Sequence, residues 1–242
     1  MKIMISGGGT GGHVFPAIAI ATGLKEAYPA MDIHFVGAKG KMEMEKVPQS
    51  GFGITGLPIR GLQRRLTLKN LSVPFRLAYS LWLCFRLLKN HKPKFVIGVG
   101  GYASAPLLWM AVRMNIPIFI QEQNSFPGIT NRWLGKSAEK IFVAFPNMDT
   151  YFPADRIVFS GNPIRAMLKE SQLEKQESLR FFDLGLNSTL LVFGGSLGAK
   201  TLNEAMMASA PVLRQNPTLQ VLWQCGHVHY DHCKESEVAQ LP

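Results

Sequence analysis

From Lys46 to Gln121 the sequence contains no aspartate and no glutamate. The same interval holds Lys46, Arg60, Arg64, Arg65, Lys69, Arg76, Arg86, Lys89, Lys92, Lys94 and Arg113, within a chain of net charge +10. A stretch so one-sided expects a polyanion: nucleic acid, an anionic membrane surface or a phosphorylated substrate. Cysteine is also scarce. Cys84, Cys225 and Cys233 are odd in number and far apart, which argues against a disulfide framework and suits structural thiols in a reducing compartment. His227, His229 and His232 lie close to the last two, but the spacing fits no zinc pattern and no metal site is assigned. No run of eighteen uncharged apolar residues exists, so a spanning helix is not expected. Met1-Lys2 leads straight into a strand pattern, and no signal peptide is expected. A Gly-x-x-x-x-Gly-Lys-Ser/Thr loop is missing, which excludes the P-loop of kinases and ATPases, and there is no Asp-x-Asp pair for a divalent cation. With 47% hydrophobic and 17% charged residues, the chain of 242 residues is globular and large enough for one or two domains.

What the sequence does have is glycine in clusters. Strand-like Lys2–Ser6 runs into Gly7-Gly8-Gly9-Thr10-Gly11-Gly12-His13, and a helical pattern opens at Val14-Phe15-Pro16. A strand, a glycine turn and a helix N-terminus make an anion site, because backbone can approach closely and unpaired N–H groups point at the ligand. Gly98-Val99-Gly100-Gly101-Tyr102-Ala103-Ser104 repeats the pattern, and so does Gly194-Gly195-Ser196-Leu197-Gly198-Ala199. Strand-like runs at 2–6, 32–37, 95–100, 116–121, 140–145, 156–160, 189–193 and 219–224 alternate with helical patterns at 14–28, 66–91, 104–114, 128–137 and 200–214. Apolar strands separated by helices predict parallel, doubly wound sheets with ligands at the strand C-termini. The recurrence after the polar stretch 169–178 predicts two Rossmann-like domains, 1–163 and 164–242, facing each other across a cleft.

The residues beside these turns suggest chemistry. His13 sits at a helix N-terminus whose dipole would favour the neutral imidazole, a base available near pH 7. Gln121-Glu122-Gln123-Asn124-Ser125 ends an apolar strand and suits recognition of sugar hydroxyls. Gly7-x-Gly9-x-x-Gly12 also matches the dinucleotide fingerprint, but the second strand ends Val36-Gly37-Ala38-Lys39 without the acid a ribose needs. In the basic interval, a helix capped at Ser72 or Val73 and entered at Pro74 would carry two apolar stripes. One is Phe75, Ala78, Trp82 and Phe85, and the other is Leu77, Leu81, Cys84 and Leu88. One stripe would pack on the domain, and the other, ringed by Arg76, Arg86, Lys89 and Lys92, would rest on a lipid surface. Three function classes therefore stand: a transferase acting on phosphorylated sugars, a basic nucleic-acid-binding protein and a nicotinamide oxidoreductase.

Six motifs together bear a family likeness. Gly8-Gly9-Thr10-Gly11-Gly12-His13-Val14-Phe15-Pro16, Gly100-Gly101-Tyr102, Glu122-Gln123-Asn124, Thr130-Asn131-Arg132-Trp133-Leu134, Gly161-Asn162-Pro163-Ile164-Arg165 and Gly194–Ala199 resemble, in order and spacing, the MurG family of peptidoglycan glycosyltransferases. The resemblance implies a two-domain GT-B fold and a metal-independent, inverting transfer of N-acetylglucosamine. UDP-N-acetylglucosamine would be the donor, no cofactor would be needed, and the acceptor would be the 4-hydroxyl of undecaprenyl-diphospho-N-acetylmuramoyl-pentapeptide (lipid I). It implies His13 as base, with Glu122 beside it among the catalytic candidates. Thr10, Gly11, Gly12, Asn124, Arg165 and Ser196 would touch the donor, and Gly9, Gly100, Gly101, Tyr102 and Asn131 the acceptor diphosphate. Phe75, Arg76, Trp82, Phe85 and Arg86 would meet an anionic membrane surface, and no nucleic acid would bind. The expected place is the cytoplasmic face of the bacterial inner membrane, held peripherally. Where the family often has histidine before Glu-Gln-Asn, this chain has Gln121, which shifts weight to His13. A doubly wound domain needs about 100–150 residues. The second domain is therefore expected to be incomplete at Pro242, with roughly a hundred residues to follow and little donor affinity or turnover in the piece alone.

Overall fold

The computed structural model describes residues 1–59, 73–164, 174–195 and 197–241. The chain divides into two compact units, Met1–Glu170 and Ser171–Pro242.

In the first unit the elements run β1 (Lys2–Gly7), α1 (Gly11–Ala27), β2 (Asp32–Ala38), α2 (Glu43–Gln49), β3 (Gly53–Leu57) and α3 (Val73–His91). They continue as β4 (Val96–Gly100), α4 (Ala105–Arg113), β5 (Ile118–Glu122), α5 (Ile129–Gly135), β6 (Lys140–Val143) and β7 (Ile157–Phe159). The strands form one sheet in the order β3-β2-β1-β4-β5-β6-β7, parallel at every pairing. Alternate side chains of a strand go to opposite faces, and both faces here are apolar. Ile3, Ile5, Phe35, Ile97 and Val99 join Val14, Ala17 and Ile18 of α1 in one core. Met4, Val36, Val96, Ile118, Ile120 and Ile141 meet Cys84 and Leu88 of α3, Leu107 and Leu108 of α4 and Leu134 of α5 in the other. The doubly wound α/β sheet expected from the sequence is what forms. Strand order reverses between β1 and β4, so the first two glycine turns emerge side by side at the switch point.

Some elements differ from expectation. β3 and α2 carry no strong pattern of their own. β3 (GITGL) has two glycines and pairs only with β2 at the sheet edge, so its strand state comes from its neighbour. α1 begins at Gly11 rather than Val14, because Thr10 supplies an extended N-cap and takes the glycines into the first turn. The helix expected over 200–214 breaks at Ser209, where Pro211 has no N–H to continue the ladder. Residues 66–72 of the expected long helix, and the Ser72 cap, lie outside the described residues.

The second unit contains α6 (Lys175–Phe181), β8 (Thr189–Phe193), α7 (Lys200–Ala208), α8 (Ala210–Arg214), β9 (Gln220–Gln224) and α9 (Tyr230–Lys234). β8 and β9 pair in parallel, and Val192, Met206, Ala210 and Val238 make a small core. Leu191 and Phe193 stay exposed on this pair of strands.

Candidate active site

The two glycine turns of the first unit interlock at the switch point. Ser6, the residue before them, donates its hydroxyl to the Val36 carbonyl at 2.7 Å and lies 3.3 Å from that of Ala103, tying β1 to β2 and to the second turn. Gly101 has φ +80° and faces the Gly8 carbonyl so closely that no Cβ could be accommodated. Gly100, at φ +94°, leaves its open side to His13: a Cβ there would stand 2.9 Å from Cδ2, 3.1 Å from Nε2 and 3.2 Å from Asn131 Nδ2. Only glycine combines that backbone angle with that approach. Tyr102 lays its ring edge over Gly9.

His13 stands in the first turn of α1. Thr10 does not cap the helix with its side chain; its Oγ1 lies 3.0 Å from His13 Nδ1. With Nδ1–H donating to Thr10, the Nε2 lone pair is left on the side of Gly100 and Asn131. Burial pushes the imidazole's pKa below 6.5, while the carboxylates of Glu122 and Glu43 pull it back up. The neutral imidazole expected from the sequence is thus favoured here by desolvation first. Burial likewise raises the Tyr102 phenol, with the Glu43 charge adding to it.

Glu122 is 1% exposed and spends both oxygens on the protein. Oε1 accepts from the Asn124 amide N–H at 3.0 Å and from its side chain at 2.9 Å. Oε2 accepts from Gly128 N–H at 3.2 Å and from Asn131 Nδ2 at 2.9 Å. Asn131 Nδ2 also reaches the Gln121 carbonyl at 3.3 Å, and its Oδ1 is buried without a partner among the described residues. What Asn131 can still offer is an acceptor, which suits a hydroxyl rather than a phosphate oxygen. Gln121 accepts from Gln123 Nε2 at 2.5 Å and contacts Asn162 at 3.5 Å, so it belongs to an amide chain linking β5 to the 161–163 loop.

Thr10, Gly12, His13, Phe15, Gln123, Asn124, Asn162 and Ile164 line a pocket of about 460 Å³. Gly9, Gly100, Gly101, Tyr102, Glu122 and Asn131 adjoin it through the contacts above, so the first unit's expected site residues do come together. Gly11 does not line the pocket itself but lies against Phe15, which does. Arg165 and Ser196 lie outside the described residues. In the second unit Leu197 and Gly198 pack on Cys225-Gly226, and Gln224 accepts from Gly194 N–H at 3.0 Å and donates to the Gly195 carbonyl at 2.8 Å. Among the described residues no three His, Cys, Asp or Glu side chains stand together as metal ligands.

One feature was not read from the sequence. Glu43 enters the first glycine turn, accepting from Gly9 N–H at 3.1 and 3.2 Å and from Ala38 N–H at 2.9 Å. The only sequence signal for it was its place just after the C-terminal edge of β2. The Gly9 amide expected to meet a diphosphate is therefore already engaged. Along α3 the exposed face carries the aromatic residues named for a surface, and Leu77 of the other stripe is exposed with them. Phe75, Trp82 and Phe85 face solvent with Leu77 and Tyr79, while Ser80, Cys84 and Leu88 are buried. Arg86 lies 5.0 Å from the Trp82 ring and Lys89 6.0 Å from that of Phe85.

The family model of the glycosyltransferase family 28 N-terminal domain matches residues 3–143, and that of its C-terminal domain matches 189–241. The chain is 48% identical over 230 residues to a protein of Parabacteroides distasonis and 47% identical over 235 residues to one of Flavobacterium psychrophilum. Both are named UDP-N-acetylglucosamine–N-acetylmuramyl-(pentapeptide) pyrophosphoryl-undecaprenol N-acetylglucosamine transferase. The matches cover 95% and 96% of this chain but 62% and 64% of those relatives, so the chain spans less than two thirds of their length. Among solved structures, the crystal structure of Acinetobacter baumannii MurG superposes with a TM-score of 0.71 at 30% identity, covering 100% of this chain and 65% of that one. A UDP-GlcNAc 2-epimerase from Neisseria meningitidis, at 15% identity and a TM-score of 0.66 over 100% of this chain and 70% of that one, shares the fold. With its glycine turns interlocked at the switch point of a doubly wound sheet and the N-terminal family model spanning most of that sheet, the chain belongs to glycosyltransferase family 28.

Proposed function

We propose that the protein carrying this chain transfers N-acetylglucosamine from UDP-N-acetylglucosamine to the 4-hydroxyl of N-acetylmuramic acid in undecaprenyl-diphospho-muramoyl-pentapeptide, with inversion at the anomeric carbon. The observation that carries this reading is His13, whose Nδ1 is engaged by Thr10 and whose Nε2 is turned toward Gly100 and Asn131 beside the pocket. An inverting transfer needs one base for the incoming hydroxyl and a place for the charge of the departing diphosphate. His13 takes the proton of the acceptor hydroxyl at Nε2, and the unpartnered Oδ1 of Asn131 accepts from a sugar hydroxyl. Glu122 acts as a positioning residue, since its oxygens already hold Asn124, Gly128 and Asn131.

The acceptor diphosphate is assigned to the Gly100-Gly101-Tyr102 turn, because the Gly9 amide is spent on Glu43. Thr10, Gly12 and Asn124, which line the pocket, and Gly11 beside them are assigned to the donor, together with Arg165 and Ser196. Residues 1–163 then form the acceptor domain and 164–242 part of the donor domain, with no metal or other cofactor in the reaction. No described helix is long and apolar enough to cross a membrane. The exposed aromatic face of α3, with Arg76, Arg86 and Lys89 on the same helix, is assigned to the anionic cytoplasmic face of the bacterial inner membrane. The names of the relatives support the same substrates.

The test is transfer of labelled N-acetylglucosamine to a lipid I analogue by the protein that carries this chain. Thermal shift of the 242-residue chain with the acceptor analogue and with NAD(P)H runs beside it. Labelled product and stabilisation by the analogue are expected. No product, with stabilisation by NAD(P)H instead, overturns the proposal.

A further inference from the structure

The first glycine turn already holds an anion, and it is part of the protein. Glu43, the first residue of α2, is fully buried. Its carboxylate passes between Gly8 and Gly37: a Cβ on Gly37 would come within 2.6 Å of Glu43 Cγ, and one on Gly8 would collide with Oε1. Both glycines leave room for this side chain. Gly9 N–H is shared between the two oxygens at 3.2 and 3.1 Å, and Ala38 N–H reaches Oε1 at 2.9 Å. One carboxylate thus bridges the end of β2 and the β1–α1 turn, and a hydrogen bond to a charged group is roughly twice as strong as a neutral one. Gly8 in turn presents its carbonyl to Gly101, and Gly9 carries the Tyr102 ring, so the shape of both turns depends on this bridge.

We propose that Glu43 is a positioning residue, an internal anion that clamps the Gly8-Gly9 turn and thereby sets His13 and Tyr102 where the acceptor meets them. The part given to His13 rests on the transferase reading above; the clamp does not. Its charge also bears on both site groups, supporting the protonated imidazole of His13 and opposing ionisation of Tyr102.

Two measurements need no substrate. In the unmodified chain the Gly9 and Ala38 amides should exchange with solvent at least about tenfold more slowly than those of an open loop. In Glu43→Gln, which keeps the shape and removes the charge, the His13 titration followed by NMR should move to lower pH. A third measurement uses the full protein: turnover of Glu43→Gln should fall about tenfold with the KM for UDP-N-acetylglucosamine unchanged, less than the ~10²–10⁴ lost with a general base itself. Glu43→Asp, which keeps the charge on a shorter arm, should restore the His13 titration in part. Rapid exchange at Gly9 overturns the clamp even where Glu43→Gln does not fold. A folded Glu43→Gln chain with an unchanged His13 titration overturns it too. Protected amides in a protein that transfers no sugar leave the clamp standing and sink the transferase reading instead.

Discussion

His13 works against two opposing influences, and their sum sets its use. Burial disfavours its charged form, while Glu122 and Glu43 favour it. Burial is the larger effect, so the imidazole is held neutral at pH 7 and can accept a proton at Nε2. His13→Ala should therefore lower turnover by ~10²–10⁴ with little change in donor affinity, since the donor contacts are assigned to other residues. Steady-state kinetics over pH checks this, and turnover within threefold of the parent would remove His13 from the mechanism. The same lowering has a stability cost with a definite sign. A histidine whose folded pKa lies below 6.5 binds fewer protons folded than unfolded in that window, so stability is full above about pH 6.5 and falls as the pH drops below it. His34 adds to this loss, lowered by burial and then by His91, whose ring stacks on it at 4.7 Å, with Asp32 opposing.

At the scale of elements, α3 separates two jobs that the sequence could only pair. Leu88 and Cys84 are buried in the core shared with Leu107 and Leu108 of α4, while Phe75 is 80% exposed and Tyr79 stacks on Trp82 at 5.6 Å. Leu88→Ala should cost about 2–5 kcal/mol of stability, the usual range for a buried leucine. Phe75→Ser with Trp82→Ser should leave the thermal midpoint nearly unchanged and abolish flotation with anionic vesicles. Each basic residue near such a surface contributes about 1 kcal/mol, so neutral vesicles should bind the parent far more weakly. Equal flotation with both vesicle types, or an unchanged double variant, would remove α3 from the membrane surface.

For the whole molecule the two units differ in how much holds them together. The first has two extensive cores on opposite faces of a seven-stranded sheet; among the described residues the second has a small core against a two-stranded one. Local opening is cheapest where few apolar contacts must break. Native-state proteolysis should therefore cut first within 171–242 and leave a resistant fragment that keeps the β1–β7 sheet. Simultaneous loss of both units at every protease concentration would contradict this. Charge acts at this scale as well: an acid-free interval of 76 positions, 46 to 121, would pull the molecule toward anionic surfaces at low salt.

Much of this was legible in the residues. Apolar runs such as FVIGVG and KIFVAF can be satisfied only by strands covered on both sides, and a glycine cluster at the end of such a run can only be a turn. Sequence therefore determined the parallel α/β class, the two turns of the first unit, and His13 as the residue beside them. It determined the amphipathic character of α3 but not which stripe would be buried. Tertiary structure decided what depends on contacts between distant positions. β3 is a strand because β2 lies beside it, not because GITGL prefers that state. Glu122 looked like chemistry and proved to be fully bonded to Asn124, Gly128 and Asn131. Glu43 looked like nothing and fills the first turn, because the sheet's order brings the end of β2 against β1. Local pattern reports the shape each segment can take, whereas the partner of a buried charge is set only when segments far apart in sequence are packed together.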